Sequence, residues 1–83
     1  MAAGIMGRAS AVTVDVRDMN CAQALAQAGR ALKPLAVGQA LDIVCNAPDV
    51  KDDLLIWARE LGHTVPTTTT HGNDTTMRIR KGR

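Results

Sequence analysis

Two thiols, Cys21 and Cys45, are the residues in this 83-residue chain best suited to do chemistry. Around Cys21 the order is Val12-Thr-Val-Asp-Val16, then Arg17-Asp18-Met19-Asn20, then Cys21-Ala-Gln-Ala-Leu25. Val12, Val14 and Val16 alternate with polar residues, the period of a strand with one buried face. After Cys21 the period changes: Leu25, Ala28, Leu32 and Leu35 recur at three- and four-residue steps, as on one side of a helix. Cys21 therefore stands where a turn becomes a helix, near N–H groups without intrahelical partners and in the positive end of the helix dipole. That location is expected to lower the thiol pKa, and the thiolate is the form that attacks sulfur or binds metal. The alternative for any free cysteine is a small buried hydrophobe. The polar Asp18 and Asn20 beside Cys21 argue against burial there.

Cys45 falls on the inward side of a second strand, Ala40–Cys45, and reads as structural. If the two strands are parallel neighbours, both cysteines lie at the carboxyl edge of the sheet, where such folds place their sites. A transient disulfide between them would need Cα atoms within about 7 Å. His63 and His71 have no metal-ligand spacing with the cysteines and are expected at the surface, so no metal is expected. Arg78, Arg80, Lys81 and Arg83 make a basic end. It is either a solvated strand face or a surface for an anionic partner, to which Arg17, Arg30 and Lys33 could add. The aspartates at 52 and 53 are expected to be helix-start charges rather than an acid/base pair.

The elements that must position Cys21 follow from the rest of the chain. Met1–Ser10 has no period and is expected to be a disordered tail, followed by one domain over residues 11–83. Asn20 or Cys21 caps the first helix, which should end before Pro34. Gly38 turns the chain into the second strand, and Asn46-Ala47-Pro48 ends it. Asp49 is the expected cap of a second helix with Val50, Leu54, Trp57, Ala58 and Leu61 along one face, Trp57 anchoring it on the sheet, and Gly62 as its stop. His63–Thr70 contains Pro66, which demotes it to an edge position or the end of a strand. His71-Gly72-Asn73-Asp74 is a hairpin turn before a last strand, Thr75–Lys81. The order β-α-β-α-β-β predicts an α+β, two-layer α/β sandwich: a four-stranded mixed sheet with two helices on one face. Its two crossovers should be right-handed, with the strands flanking each of them parallel.

Composition narrows the function. The net charge of +2 and a single aromatic residue, Trp57, do not fit a nucleic-acid surface built on stacking. Binding of RNA through the basic end would rest on fold analogy alone. Two cysteines make no disulfide framework, and nothing resembles a secretory leader or a membrane span, so a cytoplasmic setting is expected.

The order and spacing of these pieces resemble the TusA/SirA-like sulfur carriers over nearly the whole chain after the tail. The residues that carry the resemblance are the approach Asp15…Cys21, the distance from Cys21 to Gly38, the segment DIVCNAP, Asp53 and Trp57 on the second helix, GHTV, and the closing MRIRKG. The resemblance implies that Cys21 carries sulfane sulfur as a persulfide, taken from a donor of the cysteine desulfurase or rhodanese type and passed to an acceptor protein, with no bound cofactor. Arg17, Asp18, Met19, Asn20, Gln23, Arg78 and Arg80 are then the expected partner-facing residues. Two departures stand out. The family's Cys-Pro-x-Pro is Cys21-Ala22-Gln23-Ala24 here, and the turn glycine is Asp18. Alanines keep the helix and restore two N–H groups near the sulfur. They could stabilise a sulfur anion further, or could loosen a start that partners read. The alternative function is therefore a binding or regulatory module on the same fold that has lost sulfur transfer.

Overall fold

The computed structural model describes residues 12–83, and the expected tail, residues 1–10, lies outside them. The elements are β1 (Val12–Asp15), α1 (Cys21–Leu32), β2 (Ala40–Cys45), α2 (Pro48–Glu60), β3 (Thr64–His71) and β4 (Asp74–Arg80). The strands form one sheet in the order β1-β2-β4-β3. β1 pairs parallel with β2, and β4 pairs antiparallel with both β2 and β3. β2 and β3 thus run the same way on either side of β4, as a helical crossover between them requires. Pro66 sits in edge strand β3, where the register shifts between Thr64 and Thr67. A residue without an N–H is tolerated there because the ladder is already interrupted.

Alternation along β2 and β4 decides which side of the sheet the helices cover. Leu41, Ile43, Cys45, Met77 and Ile79 are buried; they meet Ala24, Ala28 and Leu32 of α1 and Val50, Leu54 and Ala58 of α2 in one aliphatic core. Asp42, Arg78 and Arg80 take the alternate positions and face away from the helices.

Three packing details differ from the sequence reading. In α1 the wholly buried residues are Ala24 and Ala28, whereas Leu25 and Leu35 are only partly covered. Two small side chains let the helix backbone approach the sheet and leave the leucines at the flanks. Just past α2, Leu61 is exposed, and Trp57 is partly buried at the margin of the core. A Cβ at Gly29 of α1 would touch the Trp57 ring, and the ring lies 6.1 Å from that of His63. Trp57 therefore fills the seam between the helices. The cap of α2 is Ala47, with no side-chain bond; Asp49 lies inside the first turn, and Asp52 and Asp53 lie beyond it. Pro48 opens the helix, where a missing N–H costs nothing.

His63 is a further correction: it is 9% exposed, not a surface residue. Its Nδ1 accepts from the Gly82 N–H at 3.0 Å. Burial, with Lys81 and Arg83 nearby, lowers its pKa. A neutral ring is the form that can accept that bond. The sequence separation of 19 residues between His63 and Gly82 hides the contact, which exists only because β4 returns beside the start of β3. Lys81 is absorbed in the same corner. Its Nζ donates to the carbonyls of Leu32, Lys33 and Leu35 at 3.1, 3.0 and 2.7 Å and closes the C-terminal end of α1.

Candidate functional site

The carboxyl ends of β1 and β2 open into two turns that hold Cys21. The Val16 N–H donates to Val44 O at 2.8 Å and carries the ladder one residue past β1. Met19 N–H then reaches back to Val16 O at 3.3 Å, and between them Asp18 takes a left-handed backbone, φ 64°. Asn20 caps α1. Its side chain accepts from the Gln23 N–H at 2.8 Å, and its own N–H donates to Gln23 Oε1 at 3.1 Å, a complete capping box. The Ala24 N–H donates to Asn20 O at 3.0 Å. The helix start is therefore held by hydrogen bonds. Cys21 is the first residue of α1 and is half-buried.

The charges around Cys21 reverse the expectation of an acidic thiol. Its pKa is pushed up to about 11. The main cause is the Asp53 carboxylate, which favours the protonated thiol as a hydrogen-bond donor; desolvation follows, then the negative charges of Asp53 and Asp49. The helix dipole does act on Cys21, but α2 brings two carboxylates to the same place, and nearby full charges outweigh partial ones. Asp49 and Asp53 are four apart and share a helix face. Sequence spacing could have shown that they act together, but not that their face looks at the start of α1.

The other expected site residues are placed as follows. Arg17 donates to both oxygens of Asp15, at 3.0 and 2.8 Å, and to Asp74 at 3.1 Å, which straps β1 to the start of β4. This pairing holds the Asp15 carboxyl down at about 2 and raises Arg17 further. Asp18 pairs with Asn46, and Met19 is packed partly against the core. Asn20 and Gln23 are spent on the capping box. Arg78 makes a bidentate pair with Asp42, at 2.9 and 3.2 Å, on the sheet face away from the helices. Arg80 is exposed on that same face. The structure brings Arg17, Asp18, Met19, Asn20 and Gln23 together with Cys21 and leaves Arg78 and Arg80 on the opposite side of the sheet. Asn46, Asp49 and Asp53 join the site without having been singled out for it.

Cys45 is 1% exposed at the end of β2, and burial raises its thiol pKa. Both cysteines are free. Among the described residues, no three His, Cys, Asp or Glu side chains are grouped to hold a metal ion, and no helix is long and apolar enough to cross a membrane.

The arrangement amounts to one accessible thiol on a rigid helix start, facing carboxylates, with a second thiol sealed in the core. Among curated proteins, no match to the chain was found. The family model described as Sulfurtransferase TusA matches residues 12–81, from the first residue of β1 to just past β4, and the chain belongs to this family.

Proposed function

We propose that this protein is a sulfur carrier in which Cys21 holds sulfane sulfur as a persulfide and relays it from a donor protein to an acceptor protein in the cytoplasm. The observation that carries the reading is the family match across the whole fold, with Cys21 as the partly exposed thiol and Cys45 buried in the core. In the loading step the Cys21 thiolate attacks the outer sulfur of a donor persulfide. A new S–S bond forms, the donor's S–S bond breaks, and the donor's thiolate leaves with the electron pair. In unloading, an acceptor thiolate attacks the outer sulfur on Cys21, and the Cys21 thiolate leaves. Each step exchanges one S–S bond for another and needs no external oxidant or reductant.

The carboxylates of Asp53 and Asp49 shape both steps. With a pKa near 11, the free Cys21 thiol is almost wholly protonated at neutral pH and slow to react with stray electrophiles. It is also a poor leaving group once loaded, since leaving ability falls as thiol pKa rises. A partner presenting cationic groups to Asp49 and Asp53 would lower the thiol pKa and quicken both steps at the moment of docking. The chemistry thereby selects donors and acceptors with basic surfaces around their own cysteines.

The second reading, a binding module that no longer transfers sulfur, is favoured by the same raised pKa together with the replacement of both prolines by alanine. Intact mass after exposure to inorganic polysulfide or a persulfide-charged cysteine desulfurase separates the two. A carrier gains mass in units of sulfur, loses it to a thiol reductant, and fails to gain it in Cys21→Ser but not in Cys45→Ser. No gain in any version, with circular dichroism showing an intact fold, would overturn the carrier reading in favour of the module.

A further inference from the structure

Asp18 is the one non-glycine residue with positive φ among the described residues, at 64°. Glycine takes this conformation freely, and aspartate is among the few L residues that adopt it, aided by hydrogen bonds from its short polar side chain. The turn is held by a contact from outside it. Asn46, directly after β2, supplies it. Its Oδ1 accepts from the Asp18 N–H at 3.0 Å, and its Nδ2 donates to Asp18 Oδ1 at 3.0 Å. The backbone amide demands an acceptor and the carboxylate demands a donor, so one amide orientation satisfies both. The pair joins the turn that presents Cys21 to the turn that launches α2, the helix bearing Asp49 and Asp53.

We propose that Asn46 is a positioning residue for Cys21: by clamping Asp18 in the left-handed turn it sets where the sulfur stands relative to α2. The clamp deepens the sulfur-carrier reading and rests on it for its consequence in sulfur loading. Its geometric part, the placement of the Cys21 thiol, has a readout that needs no sulfur transfer.

The test compares wild type, Asn46→Ala, Asp18→Gly and the double variant Asp18→Gly/Asn46→Ala at a temperature where circular dichroism shows each one folded. Inorganic polysulfide is the sulfur source for loading. Iodoacetamide alkylation of Cys21, located by peptide mass and followed against pH, is the independent readout. Asn46→Ala should load about tenfold more slowly, the order of effect seen when an outer partner that orients a reacting group is removed. Its alkylation midpoint should also move towards that of an ordinary thiol. With glycine at 18, removing Asn46 should change both readouts by less than about twofold, because the turn no longer needs a clamp. A loss of unchanged size in the glycine background would overturn the proposal, as would an Asn46→Ala variant with wild-type midpoint and rate. Should Asn46→Ala fail to fold, Asn46→Asp takes its place, since it sets a second carboxylate against that of Asp18 and removes the donor; the same slower loading and displaced midpoint are expected, and wild-type values would overturn the proposal. Wild type that takes up no sulfur but shows the midpoint shift in Asn46→Ala would remove the carrier reading and leave the positioning role standing. Wild type that loads normally, with Asn46→Ala indistinguishable from it, would do the reverse.

Discussion

Replacing Asp53 by Asn should make Cys21 more reactive, and the size of the gain follows from the site. The thiol stands at about 11 against an ordinary 9.0, a rise of about two units with Asp53 as the first cause. The carboxylate stabilises the protonated thiol and repels the thiolate, so its removal lowers the pKa. If all of the rise were lost, the thiolate fraction well below both values would grow about 100-fold. Each thiolate would then be a weaker nucleophile by about tenfold, since nucleophilicity falls with pKa at a Brønsted slope of about 0.4–0.5. The net ceiling is about tenfold. Desolvation and Asp49 remain in the variant, so we expect a gain of about three- to tenfold in the alkylation rate at pH 7.5, with the midpoint of the pH–rate curve displaced to lower pH. Stopped-flow or quenched alkylation with iodoacetamide, read by intact mass, measures both. Asp52→Asn is the control, because Asp52 is not among the groups that shift Cys21. An Asp53→Asn protein that alkylates no faster than wild type, or a midpoint that stays in place, would refute the claim that Asp53 holds the proton on Cys21.

Further predictions concern the fold that holds the site. His63 has a folded pKa below its ordinary 6.5. Its contribution to stability is therefore fully present above about pH 6.5 and is lost as the pH falls through the folded value. Urea midpoints at pH 7.5 and 5.0 should differ in wild type and differ less in His63→Gln, and a wild-type midpoint flat across this window would contradict the buried neutral ring. Ala24→Pro should cost about 1–3 kcal/mol in urea unfolding, because it removes the N–H that bonds Asn20 O at 3.0 Å and adds atoms at a wholly buried position. Ala22→Pro, in the exposed first turn, should stay within about 0.5 kcal/mol of wild type. Equal costs at the two positions would show that the hydrogen-bonded start is not what fixes α1.

Much of the site could be read from local pattern. The change of period at Cys21 marks a strand-to-helix junction because side-chain spacing of two and of 3.6 cannot both persist through one residue type of backbone. A cap at Asn20 or Cys21 follows from the short polar side chain just before the helical period, and the structure gives it to Asn20. Pro66 restricts its segment to an edge or a strand end for want of an N–H, and the structure makes β3 an edge. Each of these inferences needs only residues within a few positions of one another. The features that the sequence hides share the opposite property. The raised pKa of Cys21 depends on Asp53, 32 positions away in sequence. The burial of His63 depends on the segment around Gly82, from the far end of the chain.

What the sequence determined by itself was the order of elements, the faces they bury and the place of Cys21 at a helix start, because periodicity, capping and proline geometry act over a few residues. The tertiary structure alone decided the electrostatic character of that cysteine and the means of holding it. Whether a helix-terminal thiol is acidic or stubbornly protonated depends on charges delivered by other elements, here α2. Asn46 bonds Asp18 in its left-handed turn only because β1 and β2 lie side by side. Coulomb and hydrogen-bond energies depend on distance in space, and the chain sets those distances only once it has folded.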